Sequence, residues 1–283
     1  MISKETNFLI VGLGLIGGSY AMGLKKAGYH VSAIDINEES INYALAHHII
    51  DEGSINDLNL IKQADFIISC LYPKTMIQWI HDSQQYFKPN AFLTDVSGVK
   101  TNIVSNVQSF LRNDVEFCAS HPMAGKEVSG VQYADDEIFH IANFIITPTT
   151  SNSQEAIERL KDFASILQFH HVSILTCEKH DEMIGFVSQL THVIAVSLMN
   201  TNDNTHLVEY TGDSFRDLTR IANINEVLWT ELFFSNKEQL IKEIDDFTKE
   251  ITHLKDTLIK EDETELKRLF IQSTKRRKLF NKK

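Results

Sequence analysis

The sequence has little proline, little cysteine and no long apolar run, and each shortage excludes a class of structure. Only four prolines occur in 283 residues, so few positions interrupt a helix. The three cysteines, Cys70, Cys118 and Cys177, are widely separated and odd in number, which argues against a disulfide scaffold and for a reducing cytoplasm. The longest apolar stretches are far shorter than the roughly 20 residues of a membrane span, so we expect no membrane association.

Positive charge is also scarce. The chain has 27 lysines and arginines against 38 acidic residues, a formal net charge of -11, which disfavours nucleic acid as a partner. The N-terminal segment MISKETNFLIVGLG carries charges and then a glycine turn, unlike a secretory signal. The basic segment STKRRKLFNKK at the other end is typical of a solvated chain end. Any anionic small substrate would therefore need local positive charge.

Short apolar runs alternate with helix-like stretches over residues 1–175. The strand-like runs are FLIV, HVSAID, DFIISC, AFLTDV, FCASH, FIITP and HHVSIL. The helix-like stretches between them are SYAMGLKKAG, EESINYALAHH and SQEAIERLKDFASILQ. Several runs are almost continuously apolar, as strands buried on both faces of a parallel sheet are. The alternation predicts a doubly wound parallel α/β domain.

The pattern changes to a helical period after residue 175. Apolar residues in the first long stretch recur at Met183, Val187, Leu190, Ile194 and Leu198. This spacing predicts a second, all-helical domain over residues 176–283. An apolar cluster in it comprises Trp229, Leu232, Phe233 and Phe234. Because a small lone domain cannot bury so many large side chains, we expect a homodimer that associates through these helices.

A glycine motif follows the first predicted strand. Gly12, Gly14 and Gly17 have the spacing G-x-G-x-x-G at the start of a helix, and the second predicted strand ends at Asp35. The glycines allow a tight turn, close approach of a pyrophosphate and close helix–strand packing, while the acid can bind a ribose and repel a 2′-phosphate. We therefore predict a Rossmann-type domain that binds NAD rather than NADP. The predicted cofactor contacts also include Leu15, Ile16, Leu71 and Ser97.

A bound nicotinamide cofactor implies hydride transfer, which needs a group to accept the substrate's hydroxyl proton. In the segment EFCASHPMAGKE, His121 ends a strand-like run and is followed by a turn of small residues. A neutral imidazole suits proton abstraction at cellular pH. A strand-terminal histidine bonded only to backbone is the alternative that these residues leave open.

The segments LIVGLGLIGGS, TDVSGVK, SHPMAG and SFRDLTRIA, in this order, resemble the prephenate dehydrogenase family, which includes arogenate dehydrogenases. The resemblance covers nearly the whole chain. It implies NAD-dependent oxidation of the ring hydroxyl carbon of prephenate with loss of carbon dioxide, on the route to tyrosine. It also implies a homodimer and gives His121 the role of catalytic base.

Further roles follow from this resemblance. The family motif S-H-L-P-H reads SQLTH here, so Ser188 and His192 are expected to contact substrate and Gln189 is a weaker candidate. The family order G-S-V-K reads S-G-V-K here. The serine that helps to hold the substrate hydroxyl and the nicotinamide is therefore Ser97, one position early, and Gly98 occupies its usual place.

Two arginines one turn apart, Arg216 and Arg220, disfavour a helix unless an anion or acid separates them. The resemblance puts Arg220 on a substrate carboxylate, with Arg216 as a further substrate contact. Asp217 can orient the guanidinium of Arg220. Glu127 matches a family acid that gates the site by pairing with the arginine.

Three alternatives remain open at this point. An arogenate dehydrogenase would bind an amine where prephenate has a ketone. A β-hydroxyacid dehydrogenase relies on a lysine in the first long helix of the second domain, but HDEMIGFVSQLTH contains none after Lys179. A non-catalytic NAD sensor would lack His121 or Arg220, and both are present. We expect no metal, because no Cys/His ligand spacing occurs.

Overall fold

The computed structural model describes residues 2–280. The strands of the first sheet are β1 (Asn7–Val11), β2 (His30–Ile34), β3 (Glu52–Ser54), β4 (Phe66–Ser69), β5 (Phe92–Asp95) and β6 (Glu116–Phe117). They are all parallel, in the order β3-β2-β1-β4-β5-β6. This is the strand order of the doubly wound dinucleotide-binding fold, whose ligands bind at the carboxyl ends of the central strands. The predicted fold class is confirmed.

Helices cover both faces of this sheet. They are α1 (Leu15–Lys26), α2 (Glu38–Ala46), α3 (Leu58–Gln63), α4 (Pro73–Ser83) and α5 (Thr101–Phe110). In β1, Phe8 and Ile10 belong to one apolar core, whereas Leu9 and Val11 belong to the other. Since successive strand residues point to opposite faces and both faces are covered, the strands are apolar almost throughout.

The last three strand-like runs do not all join the parallel sheet. The remaining elements of this half are β7 (Ala119–Pro122), β8 (Asn143–Thr147), α6 (Gln154–Ile166) and β9 (His171–Ile174). Strands β7, β8 and β9 form a separate sheet in which β7 and β8 are antiparallel. The chain passes from the first sheet to the second near Ser120, whose backbone N–H donates to the Asp95 carboxylate at 3.1 Å and not to a strand carbonyl. His121 thus reaches the carboxyl edge of the sheet.

From Cys177 onward the regular elements of the described chain are helical. They are α7 (Cys177–Ile184), α8 (Leu190–Asn200), α9 (Asp213–Thr219), α10 (Glu226–Ser235), α11 (Lys237–Ile259) and α12 (Glu263–Arg277). The Oγ1 atom of Thr176 caps α7 by accepting the Lys179 N–H at 3.2 Å. The domain division at residue 175 stays a prediction.

The buried face of α7 differs from the predicted apolar stripe. Cys177, His180, Asp181 and Ile184 are buried, at helical spacings of three and four, whereas Met183 is 43% exposed. A π-helical turn over Gly185–Gln189 then joins α7 to α8 and rotates the following residues by part of a turn. Two ionisable residues therefore lie where the apolar pattern predicts none.

The stretch Cys177–Asn200 is the one described helical stretch that is long and apolar enough to cross a membrane, with a mean hydropathy of 1.4. Length and composition alone give weak support for a span, because a packed helix of a globular protein passes the same test. His180 and Asp181, which lie in this stretch, are buried within the protein.

Candidate active site

A cavity of about 700 Å³ lies at the carboxyl edge of the parallel sheet, against the helices of the second half. Parallel doubly wound sheets bind their ligands at this edge. Predicted site residues in its lining are Gly14, Leu15, Ile16, Gly17, Leu71, Ser97, His121, Glu127, Ser188, Gln189 and His192. The fold thus brings most of the predicted cofactor and substrate residues to one cavity.

The glycine turn has the geometry of a phosphate site. Gly12 has a φ of +100°, and a Cβ atom on Gly17 would lie 1.9 Å from the Gly12 carbonyl oxygen. A Cβ atom on Gly14 would have no neighbour within 4 Å, and no side chain caps the start of α1 there. The first N–H groups of α1 therefore face open space, in which a pyrophosphate can approach the backbone.

Asp35 lies beside this turn, at the end of β2. Its carboxylate accepts the Leu13 N–H at 2.5 Å and the Asn37 N–H at 2.7 Å. The acid predicted to bind ribose is thereby fixed to the glycine turn itself. Together these residues fit an adenine dinucleotide with an unphosphorylated ribose.

His121 is joined to a buried chain of two further residues. Its Nδ1 atom lies 2.9 Å from Nε2 of His180, and Nδ1 of His180 lies 2.8 Å from Oδ1 of Asp181. Because a carboxylate only accepts hydrogen bonds, His180 donates from Nδ1 and accepts at Nε2. His121 therefore carries its proton on Nδ1, which leaves a lone pair on Nε2 for proton abstraction.

The surroundings keep both imidazoles neutral. Burial lowers the pKa of His121 well below its usual value, and the nearby His180 and Lys100 lower it further. Burial also lowers the pKa of His180, although its hydrogen bond to Asp181 opposes this shift. For Asp181, burial acts to raise the pKa, but hydrogen bonds from His180 and Thr101 leave it below the usual value. A neutral base next to an ionised acid is the resulting state near pH 7.

A buried ion pair supports the strand end that carries His121. Lys100 and Asp95 have fully buried side chains, and their Nζ and Oδ2 atoms are 2.7 Å apart. The same Nζ donates to the Ser120 carbonyl at 2.5 Å, and Asp95 accepts the N–H groups of Ser97 and Ser120. The pair thus fixes the backbone of Ser97 and of Ser120, the residue before His121.

Ser97 presents a buried hydroxyl without a partner. The residue is 6% exposed, and its Oγ atom has no hydrogen-bond partner among the described residues. In the family order the serine would stand at position 98, where this chain has glycine. A Cβ atom on Gly98 would lie 3.9 Å from Cε1 of His121, so this position is next to the imidazole but carries no side chain. An unsatisfied buried hydroxyl in the cavity wall fits a ligand contact.

The helical wall of the cavity carries the other predicted contacts. His192 donates from Nδ1 to the Ser188 carbonyl at 2.9 Å, and its ring lies 3.6 Å from that of Trp229. Burial lowers the pKa of His192. The Gln189 amide is already engaged, since it donates to the Leu232 carbonyl at 3.0 Å and accepts from Asn236 at 2.8 Å. Gln189 therefore links helices as well as lining the cavity.

The two predicted arginines differ in their surroundings. Arg220 donates to Glu127 in the cavity wall, so Glu127, and not Asp217, is the acid that holds its guanidinium. Arg216 instead donates to Asp213 at 3.1 Å and to the Thr211 carbonyl at 2.9 Å. Neither arginine is among the described residues that line the cavity, but Arg220 contacts that lining through Glu127. The roles of both arginines in binding stay predictions.

His180, Asp181 and Lys100 were not among the predicted site residues. One signal for His180 and Asp181 is present in the sequence: they share the spacing of Cys177 and Ile184 on one helix face. Ionisable residues are rarely buried unless they are paired, so their presence on an apolar helix face indicates partners inside the protein. Lys100 gave no such signal, because a lysine after a glycine turn is usually solvated.

Comparison with known proteins gives consistent matches along the chain. The model of the family domain "Prephenate dehydrogenase, nucleotide-binding domain" matches residues 20–172, and that of "Prephenate dehydrogenase, dimerization domain" matches residues 176–272. The prephenate dehydrogenase of Bacillus subtilis is 29% identical over 278 residues, which cover 95% of this chain and 75% of the relative. That of Lactococcus lactis subsp. cremoris is 32% identical over 275 residues, covering 94% and 75%.

A solved structure is similar over the full length. The prephenate dehydrogenase from A. aeolicus, in complex with hydroxyphenyl propionate and NAD+, has a TM-score of 0.89 and 31% sequence identity. The match covers 98% of each chain. The similarity therefore includes both the sheet and the helices that form the cavity.

Proposed function

The chain belongs to the prephenate dehydrogenase family, and we propose that it converts prephenate and NAD to 4-hydroxyphenylpyruvate, carbon dioxide and NADH. One observation carries the proposal: His121, with its Nε2 lone pair free, lines the same cavity as the glycine turn. The A. aeolicus relative, whose complex contains NAD+ and hydroxyphenyl propionate, supports the same pairing of ligands.

The side chains suit each proton movement of this reaction. Bound NAD supplies the acceptor for the hydride that leaves the hydroxyl carbon of the ring. His121 Nε2 takes the hydroxyl proton as that carbon becomes a carbonyl. The bond to the ring carboxylate then breaks, its electron pair makes the ring aromatic, and the oxygen regains the proton from His121. Asp181 and His180 hold the required tautomer of His121.

Arg220, which pairs with Glu127 of the cavity lining, suits a carboxylate. In the proposed complex Arg220 exchanges Glu127 for the side-chain carboxylate of prephenate, which can form two parallel hydrogen bonds with a guanidinium. His192 and Ser188 lie in the same wall. The Ser97 hydroxyl, which lacks a partner, would contact the substrate hydroxyl or the nicotinamide. Glu127 thereby keeps the guanidinium paired until substrate enters.

Prephenate is favoured over arogenate by one residue of the lining. Lys126 faces the cavity, and its ammonium group would repel the amine by which arogenate differs from prephenate. A ketone, in contrast, can accept a hydrogen bond from an ammonium. The absence of a lysine in HDEMIGFVSQLTH after Lys179 also disfavours a β-hydroxyacid dehydrogenase.

We propose that the protein is a homodimer through its helical half. The matching domain model is described as a dimerization domain. Large apolar side chains exposed on these helices include Met183, Phe186, Val187, Phe234, Ile241, Ile251, Leu258, Ile259, Phe270 and Ile271. A monomer in water rarely exposes so much apolar surface, and such an interface also accounts for the apolar composition of Cys177–Asn200. A light-scattering mass of one chain would contradict the dimer.

We further propose a cytoplasmic location, which the three free thiols of the described chain support. The test of function is an assay of the purified protein with prephenate or arogenate and with NAD or NADP, followed by reduced-cofactor absorbance. We expect turnover of prephenate with NAD and release of one carbon dioxide per reduced cofactor. No cofactor reduction with either substrate would refute the proposal.

A further inference from the structure

The loop after β7 brings one ammonium group to the cavity. Lys126 is the single lysine or arginine among the described residues that line it. The chain as a whole has a net charge of -11, while the proposed ligands, a dinucleotide and a dicarboxylate, are all anionic. A cation in this position is therefore the expected partner of one of their anionic groups.

The present partner of Lys126 is weakly held. Its Nζ atom lies 2.9 Å from Oδ2 of Asp135, and the two side chains are 44% and 40% exposed. Exposed pairs of this kind contribute little to stability. Asp135 is anchored independently, since its N–H donates to Ser19 on α1 at 2.9 Å. Lys126 can thus leave Asp135 at little cost, and Asp135 stays in place.

The residue next to Lys126 indicates which anionic group Lys126 would bind. Glu127 pairs with Arg220, so the loop carries one cation, Lys126, and contacts a second, Arg220. Prephenate carries its ring carboxylate and its pyruvyl side chain on the same ring carbon, across the ring from the hydroxyl that His121 would deprotonate. Its two carboxylates therefore need two cations close together, on the side of the cavity away from the base.

We infer, on the basis of the proposed function, that Lys126 leaves Asp135 on substrate binding and pairs with the ring carboxylate of prephenate, which the reaction releases as carbon dioxide. Arg220 takes the side-chain carboxylate. The ion pair of Lys126 forms in the bound substrate and persists through hydride transfer, before the carboxylate leaves. Its removal consequently weakens the binding of ground state and transition state alike, which raises KM and leaves kcat unchanged.

Steady-state kinetics of three variants test this assignment. Lys126→Met should raise KM for prephenate roughly 10- to 100-fold, as for a lost hydrogen bond to a charged group, with kcat changed less than about threefold. Lys126→Arg should restore most of the affinity. Asp135→Asn, which keeps the oxygen that accepts the Glu137 N–H, should not raise KM. An unchanged KM in Lys126→Met, or an equal rise in Asp135→Asn, would overturn the inference.

Two ligands identify the group that Lys126 binds. Hydroxyphenyl propionate has a side-chain carboxylate and no ring carboxylate, so its inhibition constant should stay the same in Lys126→Met. The dissociation constant of NAD alone should also stay the same. A matching loss of affinity for hydroxyphenyl propionate would move Lys126 to the side-chain carboxylate, and a loss for NAD would move it to the cofactor phosphates. Either result contradicts the ring-carboxylate assignment.

The outcome also separates this inference from the proposed function. If the unmodified protein does not turn over prephenate, the proposed function and the inference that rests on it both fail. If it does turn over prephenate and Lys126→Met has the same KM, only the inference fails.

Discussion

The imidazole rings of His121 and His180 meet at 2.9 Å between Nδ1 and Nε2, although they are 59 residues apart in the sequence. His121 is the penultimate residue of a strand of the small sheet, and His180 lies on the first helix of the second half. Asp181, one residue further along that helix, sets the tautomer of both rings. The packing of α7 against the sheet therefore determines which nitrogen of His121 is free.

Replacing the proposed base should lower turnover and leave binding intact. We expect His121→Asn to reduce kcat by roughly 10²–10⁴-fold, the usual contribution of general base catalysis, with little change in KM for prephenate. His81→Asn, which changes an exposed histidine on α4, is the control and should have normal kinetics. Near-normal kcat in His121→Asn, measured from initial rates of NADH formation, would remove His121 from this role.

The buried relay should be visible in the pH dependence. The neutral form of His121 is the proposed base, so we expect activity to be lost as the pH falls through its pKa, which lies below the ordinary 6.5. Because His180 contributes to lowering that pKa, His180→Leu should move the acid limb of kcat/KM to higher pH. The variant should also lose roughly 10- to 100-fold in kcat, since the Nδ1–H of His121 is left without an acceptor.

His180→Gln keeps an acceptor near the same place and should recover part of the lost rate. A purely structural role of His180 would lower the free energy of unfolding and leave the acid limb of the profile where it is.

The two arginines one turn apart should behave differently. Arg220→Gln should raise KM for prephenate roughly 10- to 100-fold, because a charged hydrogen-bonding partner of a carboxylate is lost. Arg216→Gln is the matched control, since its guanidinium pairs with Asp213 and Thr211, whereas that of Arg220 pairs with Glu127 of the cavity lining. Equal effects of the two substitutions on KM would contradict the carboxylate role of Arg220.

The buried ion pair of Lys100 and Asp95 should be important for the stability of the fold. Lys100→Met leaves Asp95 buried without its cationic partner and should lower the free energy of unfolding by about 3–5 kcal/mol. Lys88→Met removes a partly exposed pair with Asp65 and should cost only about 0–1 kcal/mol. Urea denaturation of both variants measures the difference. Similar midpoints would show that the buried pair contributes little.

Cofactor preference should depend on the charge of Asp35. Asp35→Asn keeps an oxygen to accept the Leu13 N–H but removes the charge that repels a 2′-phosphate. We expect the ratio of kcat/KM for NAD to that for NADP to fall roughly tenfold or more, as like-charge repulsion costs several kcal/mol. An unchanged ratio would place the discrimination between the two cofactors elsewhere.

Local patterns predicted much of this architecture. The apolar runs predicted the parallel sheet because strands buried on both faces need apolar side chains at every position. Gly12, Gly14 and Gly17 predicted the phosphate turn, because their spacing reflects contacts within one short strand–turn–helix segment. His121 was predicted from its position at a strand end and from the motif around it. In each case the residues that determine the feature are close together in the chain.

Other features depend on residues that meet only in the folded chain. The last strands belong to a second sheet, and where the chain enters it Asp95 accepts the Ser120 N–H, a contact that no periodicity reveals. Likewise, Arg220 is held by Glu127, 93 residues away, and not by the nearby Asp217. A sequence pattern describes which face of an element is apolar, but not which element covers it.

The doubly wound sheet, the dinucleotide turn and the candidacy of His121 are already present in the sequence, because each follows from short-range spacing and residue chemistry. The surroundings that suit His121 to the proposed role of base arise only on folding, since His180, Asp181 and Lys100 reach it through the packing of separate elements. The physical reason is that a pKa and a tautomer depend on burial and on partners in space, and neither is encoded in any one segment.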